Sequence, residues 1–296
     1  MLLPKFEFHV PTTVDEVCQI MAEYGARAKV LAGGTDLLVN MKKKLLSPQH
    51  LVSIARIEEL KKIDASSYGL KIGSCLTVSD TASSDAIGKR WGALCAGAKA
   101  LGSPQIRNLA TIGGNLGTAS SAADLPPSLM AYGARVVLKS HAGERTMPLE
   151  EFFIGSKRTK LADDEIIFEI QIDEPASYSG AGYESLGVRS CQDIKIVNVA
   201  SFIALDGPGG IISSARIVMG CVGPTHVRAS SAEQSLIGEK PTDEIFAKAG
   251  DLARQDATPR GAAYSRASAP YKKDMVRALT IRTLSAAWKE AAGQER

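Results

Sequence analysis

Two stretches of this chain pair glycines with small hydroxyl and amide side chains: Ala32-Gly33-Gly34-Thr35-Asp36 and Thr111-Ile112-Gly113-Gly114-Asn115. Glycine brings backbone close to a ligand and adopts positive φ without steric cost. A turn of this kind can aim several N–H groups at one point, which is what the oxygens of a diphosphate require. In the first stretch Gly33 and Gly34 supply bare backbone, Thr35 adds a hydroxyl, and the start of the following helix adds partial positive charge. Asp36, an anion, reads instead as an N-cap whose side chain accepts helix N–H groups. In the second stretch Thr111, Gly113, Gly114 and Asn115 offer donors of the same kind. Thr118 and Asp124 follow closely enough to fold back, Asp124 as an acceptor for ribose hydroxyls or a cofactor ring N–H. Neither stretch fits the Gly-x-Gly-x-x-Gly dinucleotide fingerprint or the Gly-x-x-x-x-Gly-Lys-Ser/Thr phosphate loop, so a different nucleotide-type cradle is expected.

The elements that must position these turns follow from hydrophobic period and capping. Thr13 and Glu16 form a capping box ahead of Val17, Ile20, Met21 and Tyr24 at helical spacing, and Gly25 ends that helix. Ala28–Leu31 reads as a buried strand leading into Gly33. Further strands are expected at 51–54, 70–72, 135–138 and 166–170, with a polar turn over 64–69 where a second lobe begins. Thr77 caps a helix with Val78 and Ala82; another runs between Trp91 and Leu101 until Ser103-Pro104 breaks it. Ser128 reads as the cap of a short helix after Asp124-Leu125-Pro126-Pro127. Residues 175–182, rich in Ser, Gly and Ala, read as a linker. Two β-prone runs, 194–205 and 211–222, flank Asp206-Gly207-Pro208-Gly209-Gly210 as a hairpin. Helices are expected at 232–237, 243–255 and 271–291, the last with Tyr271, Met275 and Leu279 on one face. No repeat of solenoid or propeller period is present.

Composition narrows the function classes. The 296 residues include 35 Lys and Arg against 32 Asp and Glu, 45% hydrophobic and 23% charged residues. That length suits two or three modest lobes, and the charge balance gives no field for a nucleic acid. Lys42-Lys43-Lys44 reads as a solvated helix face. The N-terminus has no signal-peptide pattern and no segment is long and apolar enough to span a bilayer, so a cytoplasmic location is expected. Cysteines at 18, 75, 95, 191 and 221 lack disulfide or cluster spacing and read as small core residues. His9, His50, His141 and His226 are scattered, and no metal site is expected from their spacing.

The chain resembles the FAD-binding medium subunits of the molybdenum hydroxylases, the family of carbon monoxide, nicotinate and bacterial xanthine dehydrogenases. The resemblance rests on ordered motifs: 29–38 around Gly33-Gly34, Gly102-Ser103-Pro104-Gln105-Ile106-Arg107-Asn108 running into Thr111–Asn115, Asp124–Pro127, Phe152-Phe153-Ile154-Gly155, Asp193-Ile194 with Asn198-Val199-Ala200, and Ser268–Lys272. It implies an α+β fold: a two-subdomain FAD-binding α/β region over 1–176 (about 1–57 and 58–176), followed by a small antiparallel sheet and helix C-terminal domain over 177–296. It implies FAD contacts from Lys29, Val30, Leu31, Ala32, Gly33, Gly34, Thr35, Asp36, Leu37, Leu101, Ala110, Thr111, Gly113, Gly114, Asn115, Gly117, Thr118, Asp124, Ile166, Ile167 and Tyr183, with both glycine turns on the pyrophosphate and Tyr183 near the isoalloxazine. Ser185 stands where many relatives have a lysine, a departure that bears on the flavin potential.

The resemblance further implies an electron-transfer role with no catalytic residue of its own. A large partner subunit would hold molybdopterin and hydroxylate the substrate, and a small partner would hold two two-iron two-sulfur clusters. The three would assemble as a dimer of heterotrimers, and electrons would reach FAD and then NAD or another acceptor. No clustered cysteines mark an extra iron-sulfur centre, and no histidine lies between Val10 and Gln49 to attach a flavin, so noncovalent FAD alone is expected. Two alternatives remain at this stage. One is a self-contained flavin oxidase or dehydrogenase with His141 or His226 over its substrate; the other is a noncatalytic assembly subunit whose glycine pairs are plain turns. The late helices and the segment near Pro126 are the candidate docking surfaces.

Overall fold

The computed structural model describes residues 3–189, 192–260 and 266–293; Cys191 lies outside them. The first lobe is built as its sequence dictates. β1 (Glu7–His9) precedes α1 (Val14–Tyr24), where the Thr13 and Glu16 capping box forms and Gly25 takes φ +49° as C-cap. β2 (Ala28–Leu31) runs into the first glycine turn, and α2 (Leu37–Lys42) and β3 (His50–Ser53) follow. The strands form a parallel sheet in the order β1-β3-β2. A parallel sheet leaves its ligand crevice at the carboxyl ends of the strands, and Gly33 sits there. Lys42, Lys43 and Lys44 are exposed, as their clustering leads one to expect.

The second lobe contains β4 (Ile63–Ser66), β5 (Gly69–Gly73), α3 (Val78–Ser83), α4 (Asp85–Gly88), α5 (Gly92–Ala100), α6 (Pro104–Arg107), α7 (Ile112–Thr118) and α8 (Leu125–Ala131). It continues with β6 (Arg135–Ser140), β7 (Gly143–Pro148), α9 (Leu149–Phe152), β8 (Phe153–Gly155), β9 (Arg158–Thr159) and β10 (Ile166–Asp173). Its main sheet is antiparallel, ordered β4-β5-β10-β6-β7. Two local expectations change. Ser103-Pro104 opens α6, with Ser103 accepting from Ile106 N–H, because proline at the first helical position forfeits no bond. Ser128 lies inside α8 and donates to the Ala93 carbonyl, so it anchors α8 to α5 and caps nothing.

The third lobe comprises β11 (Ser179–Leu186), β12 (Val197–Leu205), β13 (Ile212–Gly220), β14 (Val227–Arg228), α10 (Ser230–Leu236), α11 (Asp243–Asp256) and α12 (Ala269–Ala291). The strands form one antiparallel sheet in chain order, and the expected hairpin joins β12 to β13, with Asp206 Oδ1 accepting from Ile211 N–H. The face of α12 that packs inward carries Val276, Leu279, Thr283, Leu284 and Ala287; Tyr271 is 44% exposed. Pro126 and Pro127, expected near a docking surface, are buried inside α8.

The expected linker is the largest difference. Its second half is the start of β11, and its small residues serve contact with α12. A Cβ on Gly180 would stand 2.3 Å from the Ala287 carbonyl oxygen, and one on Gly182 would stand 2.4 Å from that of Thr283. Small residues in series mark close element packing as readily as they mark flexible chain. Gly180→Ala is therefore expected to lower stability by about 1–3 kcal/mol through overpacking. Urea denaturation measures this, and an unchanged midpoint would contradict the close approach.

Candidate functional site

The glycine turns face each other across a cleft of about 660 Å³ between the first two lobes. Of the residues singled out in the sequence, Lys29, Val30, Ala32, Gly33, Gly34, Thr35, Asp36, Leu37, Leu101, Ala110, Thr111, Gly113, Gly114, Asn115, Gly117, Thr118, Ile166 and Ile167 line it. Leu31 does not: it packs beneath the turn, 3.1 Å from where a Gly34 Cβ would stand. Asp124 and Tyr183 lie outside the lining and pair with each other where the lobes meet, the Tyr183 hydroxyl donating to Asp124 Oδ1 at 2.7 Å.

The two turns differ in what they offer. In the first, the N–H groups of Gly33, Gly34, Thr35, Asp36 and Leu37 have no acceptor among the described residues. Gly34, at φ +72°, turns the backbone in the sense only glycine accepts readily. α2 is only six residues long, so these amides, rather than a helix dipole, carry the positive potential. Asp36 occupies the N-cap position, but its side chain makes no cap bond; its Oδ2 lies 3.4 Å from the Thr118 hydroxyl across the cleft. In the second turn the amides are spent inside the protein. Ile112 N–H goes to Leu76 O, Gly113 to Ser74 O, Gly114 to Thr111 Oγ1 and Asn115 to Thr111 O. The turn is the first turn of α7, so what faces the cleft is its side chains and glycine surface.

Two buried polar atoms in the cleft have no partner among the described residues, Asn115 Oδ1 and Ser74 Oγ. Buried polar groups are normally satisfied, so both point to a hydrogen-bonding occupant. The glycines divide into two kinds. A Cβ on Gly33 would sit 1.7 Å from Leu109 O and one on Gly113 would sit 2.6 Å from Ser74 Cβ, so those glycines serve internal packing. At Gly114 only Thr111 Oγ1, at 3.0 Å, lies within reach, and at Gly117 only Ile167 Cδ1, at 3.7 Å; their remaining space is open. Five free amides, two unpartnered polar atoms, open glycine surface and apolar walls fit a phosphate-bearing cofactor with a large ring system.

Sequence reasoning missed part of the wall: Met21, Asn40, Leu45, Leu46, Ile54, Ser74, Ile106, and Lys157, Thr159, Leu161, Ala162, Asp163 and Glu165. The last group had a usable signal, a polar segment leading straight into Ile166-Ile167. Its two carboxylates are paired: Lys29 Nζ is 3.8 Å from Asp163, and Arg145 holds Glu165 through two bonds of 2.6 and 2.8 Å. Hydrogen bonding from the Arg145 guanidinium keeps the Glu165 carboxyl below its usual range.

At the lobe junction, burial pushes the Asp124 carboxyl up, against the bond from Tyr183 and the charge of Lys195. Tyr183 is pushed well above the usual phenol range by burial and then by Asp124. Lys195 donates to Ala100 O, and Asn198 donates to Ala123 O. Ser185 pairs in register with Asn198 on β12. His226, one of the two imidazoles considered for a substrate site, is buried and pushed down to about 4 by that burial, against Phe153.

Comparison with known proteins agrees over nearly the full length. Residues 4–175 match the family described as the FAD binding domain in molybdopterin dehydrogenase, and residues 183–287 match the CO dehydrogenase flavoprotein C-terminal domain. The chain is 34% identical to the carbon monoxide dehydrogenase medium chain of Hydrogenophaga pseudoflava, covering 99% of this chain and all of that one. It is 32% identical to the nicotinate dehydrogenase FAD-subunit of Eubacterium barkeri, over 93% of each. The solved structure of the Hydrogenophaga pseudoflava carbon monoxide dehydrogenase that lacks the Mo-pyranopterin moiety superposes with a TM-score of 0.91, covering 97% of this chain and 99% of that chain.

Removing the Tyr183 hydroxyl takes away a bond that favours ionised Asp124, so Tyr183→Phe is expected to raise the Asp124 pKa further. A carboxyl with a raised folded-state pKa loses stability as pH rises through the window between its unfolded and folded values, and the variant extends that window upward. A loss of about 1–3 kcal/mol at neutral pH is expected for the orphaned buried acceptor. The carbonyl stretch of protonated carboxyl, followed by infrared spectroscopy against pH, checks the direction; no change would disprove the pairing.

Proposed function

The chain belongs to the FAD-binding medium subunits of the molybdenum hydroxylases, and from that premise we propose that its cleft holds noncovalent FAD in an electron-transfer role. The observation that carries the residue assignment is the run of unused amides from Gly33 to Leu37, set opposite the unpartnered Asn115 Oδ1. The amides, with Thr35, take the diphosphate. Asn115 and Ser74 take hydroxyls or ring N–H groups of the cofactor, and Ile166, Ile167 and Leu101 exclude water from its flat surfaces. Thr118 and Asp36 tie the two walls together. When bound, FAD supplies the change between one-electron and two-electron chemistry. Position and electrostatic surroundings are the protein's part, and no acid or base from this chain is assigned.

The partners in this reading are a large subunit with molybdopterin and a small subunit with two two-iron two-sulfur clusters, assembled as a dimer of heterotrimers in the cytoplasm. Electrons from the clusters enter FAD and leave to NAD or another acceptor. No helix of the described residues is long and apolar enough to cross a membrane. The relatives named as medium chain and FAD-subunit of dehydrogenases support the assembly. Asp124 and Tyr183 act in this reading as a brace at the flavin end of the cleft, behind the residues that touch the ring.

Gly114 separates cofactor binding from folding, because its missing Cβ faces open cleft. Gly114→Val is expected to leave the circular dichroism spectrum intact while bound flavin per chain falls roughly tenfold or more, a loss above about 1.4 kcal/mol in binding. Gly33→Ala, by contrast, is expected to lower stability itself, since its Cβ collides with Leu109 backbone. Full flavin content in a folded Gly114→Val protein would overturn the proposed site.

A further inference from the structure

We propose that Glu7, His9 and His50 form a binding site for a zinc-class divalent cation, separate from the cofactor cleft. β1 and β3 pair in parallel with Glu7 opposite His50. His9 lies two residues beyond Glu7, on the same face of β1 by the two-residue period of a strand. This register sets His50 beside His9, 41 residues earlier in the chain, and beside Glu7 on the same strand as His9. His9 Nε2 is 3.1 Å from His50 Nδ1, His50 Nδ1 is 3.4 Å from Glu7 Oε2, and His9 Nε2 is 4.0 Å from Glu7 Oε1. Tetrahedral zinc, with bonds of about 2.0–2.2 Å to nitrogen and oxygen, sets its ligands about 3.4 Å apart. The two nitrogens and one Glu7 oxygen all lie within 4.8 Å of one another, so a modest turn of the exposed Glu7 carboxylate closes them onto one face of such a tetrahedron.

Preorganisation supports the assignment. The His50 ring stacks on Tyr24, with centroids 3.8 Å apart and planes at 18°, and so has a fixed orientation. His50 is buried, the His9 side chain is 16% exposed and that of Glu7 is 64% exposed, leaving a solvent side for a fourth ligand such as water. Two imidazoles and one carboxylate form a donor set suited to zinc and its neighbours rather than to calcium or magnesium. The site is at the opposite end of the sheet from the cofactor cleft: His50 pairs with Ala28, where β2 begins, whereas the glycine turn follows Leu31, where β2 ends. A bound cation would clip the N-terminal strand to the middle of the sheet.

The test uses the full-length chain, stripped with chelator and titrated separately with Zn²⁺ and with Co²⁺, whose visible absorption reports tetrahedral nitrogen and oxygen ligation. One equivalent per chain is expected, weakened by more than roughly 100-fold in both Glu7→Gln and His9→Gln, since even outer-shell losses cost 10–100-fold. Zn²⁺ at a hundredfold excess over its dissociation constant is expected to raise the wild-type melting temperature by roughly 5 °C, and to leave the variants unchanged. Glu7 is exposed, so Glu7→Gln keeps the fold even if His9→Gln does not. Absence of stoichiometric binding in the wild type, or equal binding in the wild type and Glu7→Gln, would overturn the proposal.

Discussion

The approach of Gly33 to the Leu109–Ala110 peptide is the constraint from which the cleft follows. With a would-be Cβ 1.7 Å from Leu109 O, the first glycine turn lies against backbone of the second lobe with no side chain between them. This contact sets the separation of two walls that come from different sheets. A second contact of the same kind, Gly113 on Ser74, seats α7 against the end of β5. One member of each pair thus packs directly on the second lobe, while Gly34 takes the positive φ that turns the chain and Gly114 leaves its far side open.

The third lobe reaches this arrangement through a buried polar junction. Tyr183 on β11 bonds Asp124 at the start of α8, Asn198 on β12 bonds the Ala123 carbonyl, and Lys195 bonds the Ala100 carbonyl at the end of α5. Hydrogen bonds of this type fix register more strictly than apolar contact, because a displaced partner leaves a desolvated group unpaired. The same core cluster contains Ala181, Ala200 and Val218 from the third sheet beside residues of α5 and α8, so apolar burial and polar register act on one interface.

Local signals in the sequence carried much of this. The Thr13 capping box, the strand before Gly33, the Asp206–Gly210 hairpin and the late helices were legible because each depends on residues near one another in the chain. The reading failed where a distant element decides the outcome. Gly180 and Gly182 look like linker until α12 lies over them, and Asp36 looks like a cap until Thr118 faces it. The second glycine turn looks like a phosphate nest, yet Ser74, Leu76 and Thr111 take its amides. Ser74 itself has no local mark, because it joins the cleft wall only through the seating of β5 against α7. Glu7-x-His9 had a mark, a carboxylate and an imidazole on one strand face, but His50 joins them only through strand pairing.

The cleft proposed for FAD carries an apparent contradiction: Asp36, Asp163 and Glu165 all line it. Left unpaired, these carboxylates would oppose phosphate binding. Arg145 and the Ala162 amide hold Glu165, Lys29 stands beside Asp163, and Thr118 faces Asp36. Each acid acts as a tie between wall segments, its charge offset or bonded locally, and the Gly33–Leu37 amides remain without internal acceptors. Backbone donors make this division possible, because their potential is fixed by the fold and neither titrates nor turns away toward a neighbouring acid. A lysine at the same place would be drawn to Asp36 or Asp163 before any ligand arrived, which is a physical reason for the proposed anion cradle to be built from glycine-rich backbone.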